Sequence, residues 1–151
     1  MSKEIKQVIV ASGPVIIEDK KVLLNKHGED KFWKFLGGKV EVRDFTNPEM
    51  SLEETCKREV KEENGINIRI VCPLKPMMVA KPGSEGVYVV LVHFLAERMG
   101  DIKLGGDIDD FKEFNIDMII KEKYIDEKFA PNIIPVLKSY LELKEKGLLV
   151  K

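Results

Sequence analysis

The sequence predicts an α/β fold in which a mixed β-sheet lies between helical layers, and three stretches predict it. Short β-branched runs crowd the first 25 residues, and an acidic amphipathic helix follows from Ser51 to Asn64. The run from Val87 to Ala96 is apolar on both alternating faces, the pattern of a strand covered by layers on either side. At 151 residues, 44% apolar and 34% charged, the chain has enough apolar content for one core, so 1–151 is expected to be a single domain.

Ile5 to Val10, Val15 to Ile17 and Lys21 to Asn25 read as short strands. The first two are separated by Ala11-Ser12-Gly13-Pro14, and Glu18-Asp19-Lys20 turns between the second and third, so at least one pair forms a hairpin. His27 to Asp30 is a charged loop. Phe32-Trp33-Lys34-Phe35 then leads to the paired glycines Gly37-Gly38. After the acidic helix, Ile66 to Val71 is a strand broken by Pro73 and Pro76, and Val79 to Gly86 is a loop. Glu97 to Asp101 is a turn, Gly105 to Asp110 an acidic loop, Phe111 to Ile116 a strand and Asp117 to Lys123 a short helix. Ile133 to Lys146 is a longer helix whose apolar residues recur at helical spacing, with Asn132 as cap, Pro135 in the first turn and Gly147 as the stop. Its apolar face packs on the sheet.

Ser51 is the expected cap of the acidic helix, Glu53 and Glu54 sit where the macrodipole is positive, and Gly65 follows the last turn. With Leu52 at zero and roughly 100° per residue, Cys56 falls near ~40°, Val60 near ~80°, Glu59 near ~340°, Glu63 near ~20° and Glu62 near ~280°. Two carboxylates thus lie on the apolar seam, while Lys57, Lys61, Arg58 and Glu54 form the solvated face. Glu59 and Glu63, alike in charge and one turn apart, repel each other unless a cation stands between them. Oxygen ligands so arranged suit Mg²⁺ or Mn²⁺. Ahead of the helix, the side-chain-free Gly37 and Gly38 let backbone approach a phosphate or a cation.

Arg58-Glu59-Val60-Lys61-Glu62-Glu63-Asn64-Gly65-Ile66, preceded by Gly37-Gly38-Lys39-Val40-Glu41, resembles the signature of the Nudix hydrolases, G-x5-E-x7-R-E-U-x-E-E-x-G-U with U aliphatic. The family has fourteen positions from the signature Gly to the Arg, whereas Gly38 to Arg58 spans twenty, so six residues, most simply Val42 to Asn47, read as an insertion. Counting back from Arg58 then puts Met50 where the family has a Glu that braces the Arg, and Glu49 or Glu54 as its replacement. Leu36 stands where the family commonly has Pro.

The resemblance implies a Nudix-type α/β/α sandwich and metal-assisted hydrolysis of a diphosphate linkage in a nucleoside diphosphate derivative. Glu59, Glu62, Glu63 and the Gly38 carbonyl would hold Mg²⁺ or Mn²⁺, Arg58 would orient Glu59, and Glu62 would complete the metal shell or take a proton from water. Trp33, Gly37, Lys39, Pro82 and Asp109 are the expected substrate contacts. Trp33 is read either as a stacking platform for a base or as core. Asp109 stands for a further family carboxylate that Asp107 or Asp110 could equally supply. Pro82, sixteen positions after Ile66, matches members that hydrolyse ADP-ribose, which makes ADP-ribose or a similar nucleotide sugar the favoured substrate. The alternatives are a nucleoside triphosphate pyrophosphohydrolase of house-cleaning type and a non-catalytic nucleotide-binding protein on the same fold. His93 reads as a core or groove histidine.

A net charge of −1 and a pI near 6.2 leave no electrostatic footprint for nucleic acid or a membrane surface, so the expected partner is a small nucleotide. A homodimer is among the allowed assemblies. Cys56 and Cys72 have neither metal-ligand nor disulfide spacing. Met1-Ser2-Lys3-Glu4 has no signal-peptide pattern, and the expected location is the cytoplasm.

Overall fold

The computed structural model describes residues 4–28, 30–100 and 108–149, with only the backbone at 27 and 108–110. The element order is β1 (Gln7–Glu18), β2 (Lys21–His27), β3 (Gly38–Lys39), a 3-10 turn (Val42–Asp44), α1 (Ser51–Asn64), β4 (Asn67–Pro73), β5 (Met77–Ala80), β6 (Val87–Met99), β7 (Ile108–Asn115), α2 (Ile116–Ile120) and α3 (Ile133–Glu145). The sheet runs β4-β6-β1-β2-β7, with β3 added to β1 and β5 to β6. It is mixed: β1 and β6 are parallel, from Gln7↔Val87 to Ile16↔Ala96, and every other pair is antiparallel.

Strand alternation splits the core into two layers. Val15, Val22, Leu24, Trp33 and Phe114 face α3, whose Ile133, Val136 and Leu137 are fully buried against them. Ile16, Leu23, Leu36, Phe94 and Ala96 face α1 through Cys56 and Val60, both fully buried. Burying each Val side chain contributes about 1.5–3 kcal/mol, so either helix is held chiefly by its seam. This is the α/β/α sandwich expected from the sequence. Among the described residues no helix is long and apolar enough to cross a membrane.

Several expected boundaries move for physical reasons. Ala11-Ser12-Gly13-Pro14 does not interrupt the first strand. β1 passes straight through it, pairing with β6 on one side, while its other edge switches from β3 (at Ala11 and Ser12) to β2 (at Ile17 and Glu18). Pro14 occupies the gap between those two partners, where a strand tolerates a missing donor. The β1–β2 hairpin turns through Asp19 and Lys20, both at positive φ (50° and 64°), which the right-handed strand twist favours. Met77–Ala80, expected in part as loop, pairs with β6, and β6 itself continues to Met99 because β4 borders it as far as Asn67↔Met99. Asp109, expected in a loop, lies on the backbone of β7, and the helix after β7 ends at Ile120.

At Gly13 and Gly37 two backbone segments cross with no room for a side chain. A Cβ on Gly13 would lie 1.9 Å from the Leu36 carbonyl oxygen, and one on Gly37, which is at φ 126°, would lie 2.4 Å from that of Ser12. This crossing fixes the Leu36–Gly38 segment on β1. Gly13→Ala is therefore expected to destabilise the protein by about 2 kcal/mol or more, because the obstructing atoms are backbone that cannot swing away. Thermal or urea unfolding measures it.

Candidate active site

The acidic helix α1 is seated by one hydrogen bond to the sheet and one clamp to the loop before it. Ser12 Oγ donates to the Leu52 carbonyl at 2.7 Å. Ser51 is not the cap: Met50 holds that position, and Ser51 Oγ donates back to Asn47 O at 2.9 Å. Gly65 closes the helix as expected, its N–H bonded to Lys61 O at 3.0 Å.

The clamp corrects the alignment read from the sequence. Arg58 is braced by Asp44, with Nε to Oδ1 at 2.5 Å and Nη2 to Oδ2 at 2.8 Å, and neither Met50, Glu49 nor Glu54 takes that part. Asp44 also accepts from Thr55 Oγ1 and from the Glu41 N–H, both at 2.8 Å. Counted forward from Gly38, Asp44 is the sixth residue, the place where the G-x5-E pattern has its acid. The six additional residues therefore lie after Asp44, as 45–50, and not at Val42 to Asn47. The acid is present as Asp.

Electrostatics follow the geometry. The Arg58 hydrogen bond, more than offsetting burial, holds the Asp44 carboxyl well below the usual carboxylate range, and Asp44 in turn raises Arg58 further above its ordinary value. The Asp44 side chain is 2% exposed, so this pair is little screened by solvent. With one side of the guanidinium committed to Asp44, the other reaches Glu59 Oε1 at 3.0 Å, Glu62 Oε2 at 3.2 Å and Lys39 O at 3.3 Å. Arg43 of the 3-10 turn contacts Glu62 Oε1 at 2.9 Å.

Glu59 lies directly against Gly38: a Cβ there would come within 2.5 Å of its carboxyl carbon. The glycine cradle and the carboxylate are one unit, and they offer hard oxygen donors at a place where a side chain would fill the space, which fits Mg²⁺ or Mn²⁺. Glu62 and Glu63 stand one turn further along the helix. Among the described residues no three Asp, Glu, His or Cys side chains form a ready-made cage. An ion here would keep water or substrate oxygens in its shell, as Mg²⁺ usually does.

On the other side of Gly37-Gly38 a cleft of about 170 Å³ runs over Ala11 and Leu91 to His93 and Asn132. Its wall is built by backbone pairing. Lys34 bonds Asn25, while Trp33 bonds Lys128 and Ala130, which brings the start of α3 beside the glycines. Recesses beside Tyr140 and Lys144 (about 180 Å³) and beside Ile125 and Phe129 (about 400 Å³) include neither the glycines nor α1.

Trp33 is not a stacking platform. It is 3% exposed, its indole N–H donates to Glu127 Oε2 at 2.7 Å, and its ring meets Phe114 edge-on at 5.1 Å, so the core reading holds. Lys39 is exposed on β3, and Pro82 is exposed in the turn between β5 and β6. Asp107 lies outside the described residues, as do the side chains of Asp109 and Asp110. Sequence reasoning missed Asp44 and Asn132. Forward counting from Gly38 would have found the first. Asn132 was read as a helix cap, yet its side chain makes no cap bond and stands 3.5 Å from His93 Nε2. His93 is 5% exposed, stacked obliquely on Phe35 at 4.7 Å, and burial pushes its pKa down to about 4. Cys56 is fully buried, its thiol pushed up to about 12, which leaves it inert at neutral pH.

The sequence matches the model of the NUDIX domain over residues 7–137. No curated protein matches it closely enough to count as a relative. Among solved structures it is similar to the ORF135 protein of E. coli, 21% identical over 93% of each chain with a TM-score of 0.71. It is also similar to a MutT NUDIX hydrolase from Burkholderia pseudomallei, 22% identical over 89% of this chain and 98% of that one (TM-score 0.71). A protein described as a UDP-X diphosphatase is 17% identical over 92% of this chain and 64% of its own (TM-score 0.70). At these identities the likeness is one of fold.

Two outcomes follow from the geometry. Asp44→Ala should destabilise by about 2–4 kcal/mol because it strands a largely buried guanidinium, whereas Met50→Ala should stay within about 0.5 kcal/mol; urea unfolding of both variants measures the contrast. Lowering the pH from 6.5 to 4 should cost about 2–3 kcal/mol through His93, since the unfolded chain takes up its proton first. Asp44, with its depressed pKa, adds its own loss only below its ordinary value of 3.8. A His93→Phe variant followed over the same range should lose the upper part of the slope.

Proposed function

The chain belongs to the NUDIX family of hydrolases, and from that premise we propose that it hydrolyses a diphosphate linkage in a nucleoside diphosphate derivative with the aid of Mg²⁺. The observation that carries the reading is the contact of the Glu59 carboxylate with Gly38, with a cleft opening on the other side of the same glycines. A substrate whose base enters the cleft would bring its diphosphate over Gly37-Gly38 and up to the carboxylates of α1.

Glu59 and the Gly38 carbonyl would hold the ion, with Glu62 and Glu63 from the same helix. When bound, Mg²⁺ neutralises diphosphate oxygens that otherwise repel an attacking hydroxide, and lowers the pKa of a water. Arg58, kept charged and oriented by Asp44, holds Glu59 in one rotamer toward Gly38. Glu62, with its side chain 46% exposed, would complete the shell or accept the proton of the attacking water at a carboxylate oxygen. Lys39, exposed beside the glycines, would meet phosphate charge. The tight embrace of Glu59 and the Asp44–Arg58 clamp favour catalysis over a purely binding role.

The name of the UDP-X diphosphatase supports a nucleoside diphosphate joined to another group. Pro82 alone points to ADP-ribose. A second reading, hydrolysis of a nucleoside triphosphate to pyrophosphate, fits the same cleft, whose volume of about 170 Å³ takes one flat ring system. The MutT name of the Burkholderia protein points the same way.

Release of nucleoside monophosphate, phosphate and pyrophosphate from ADP-ribose, uridine diphosphate sugars and triphosphates, with Mg²⁺ and with chelator, tests both readings. Chelator should abolish turnover, and Glu59→Gln should lower kcat by about a hundred-fold or more while leaving the fold intact by circular dichroism. Undiminished turnover in that variant would falsify the mechanism.

A further inference from the structure

Glu59 and Glu62 lie one turn apart on α1, yet arginines hold them differently. Glu59 gives Oε1 to Arg58 at 3.0 Å, and its Oε2 is the oxygen nearer the Gly38 cradle. Glu62 has an arginine on each oxygen: Arg43 Nη2 stands 2.9 Å from Oε1, and Arg58 Nη1 stands 3.2 Å from Oε2. Arg43 Nη2 also reaches Oε2 at 3.2 Å, while its Nε donates to Glu41 Oε2. Arg43 therefore bridges two carboxylates, one just before the 3-10 turn and one on the helix. The turn itself is pinned, because the Asp44 N–H donates to Glu41 O at 2.9 Å and Asp44 Oδ2 accepts from the Glu41 N–H at 2.8 Å. The clamp that braces Arg58 thus also sets where Arg43 starts from.

The two guanidiniums differ in freedom. The Arg58 side chain is 15% exposed and tied to both oxygens of Asp44, whereas that of Arg43 is 57% exposed and its partners Glu41 and Glu62 are themselves half-exposed. Ion pairs so open to solvent are weak, and water replaces either partner at small cost. A divalent cation brought to the Glu59 and Gly38 oxygens would attract Glu62 and repel the nearby guanidinium. Arg43 is the one that can leave.

We propose that Arg43 is a positioning residue that competes with the divalent cation for the Glu62 carboxylate. Glu59 and Gly38 take the ion, and Glu62 joins its shell only as Arg43 withdraws into solvent. The inference rests on α1 carrying the metal in the proposed reaction. It adds what governs the entry of Glu62 into the shell. The competition lowers the affinity for the ion by the strength of one exposed pair, which amounts to at most about five-fold.

Mn²⁺ titrated into the whole protein, with the free ion read by electron paramagnetic resonance, tests this without turnover. Arg43 and Glu62 are both well exposed, so Arg43→Gln, Glu62→Gln and the double variant should fold, which circular dichroism checks. Arg43→Gln is expected to bind Mn²⁺ about three- to five-fold more tightly than the unaltered protein. In the Glu62→Gln background the same substitution should change the affinity by less than about two-fold, because the competition has lost its object. A general loss of positive charge near the site would tighten binding equally in both backgrounds, and a merely structural arginine would tighten it in neither. Either of those results, or weaker binding in Arg43→Gln, overturns the role of Arg43. Glu59→Gln separates this from the proposed function. Binding that Glu59→Gln weakens and Arg43→Gln leaves unchanged overturns the inference alone, whereas binding undiminished in Glu59→Gln, or no binding at all, overturns the metal site and the inference with it.

Discussion

A guanidinium that is 15% exposed, in a protein with no spare charge to waste beneath its surface, dictates the arrangement around it. Arg58 has five donors in one plane, and each direction it points ties down a different piece of chain. Toward the 3-10 turn it takes both oxygens of Asp44, toward β3 it reaches the Lys39 carbonyl, and along its own helix it holds Glu59 and Glu62. The helix, the loop before it and the glycine-bearing strand are thereby registered to one another by a single side chain. Asp44 is able to be buried only because Arg58, Thr55 and the Glu41 N–H between them satisfy it, so the clamp is reciprocal.

Two requirements meet at Gly37 and Gly38. One side of this segment must lie on β1, which is possible because neither Gly13 nor Gly37 carries a side chain at the crossing. The other must admit the Glu59 carboxylate, which a Cβ on Gly38 would displace. The sheet between them keeps the two functions on separate faces: carboxylates come from the α1 layer, and the cleft with His93 and Asn132 opens toward the α3 layer. The glycines belong to both, so they connect the part that would bind a base to the part that would handle phosphate.

The layers and the acidic helix were legible in the sequence because they depend on local periodicity. Leu52, Cys56 and Val60 recur at helical spacing, and the doubly apolar run from Val87 onward can only be an interior strand. What was not legible depends on contacts between distant residues. Pro14 reads as a breaker until the partner switch on β1 is known. Trp33 reads as either platform or core until Phe114 and Glu127 are seen beside it. Asn132 has the residue type and position of a cap, and only the approach of β6 turns it toward His93. The brace of Arg58 was misplaced for a related reason, since counting backward along the chain assumes that the loop has a fixed length, whereas Asp44 stands at the interval counted forward from the glycine.

That difference bears on how such a site can vary in evolution. The residues 45–50 leave the clamp at Asp44 and return at the helix start, and Phe45 and Met50 are exposed at 67% and 40%. The bonds made by the loop are local to its two ends, with Ser51 Oγ and the Met50 N–H both donating to Asn47 O, so its length is nearly a free variable: doubling it adds only about 0.6 kcal/mol of closure entropy. A chain can therefore acquire or shed residues here without disturbing the carboxylates, and lineages can explore new surface beside an unchanged reaction centre. What holds the site together is the meeting of one acid with one arginine, which a fixed interval counted back from the arginine does not describe in this chain.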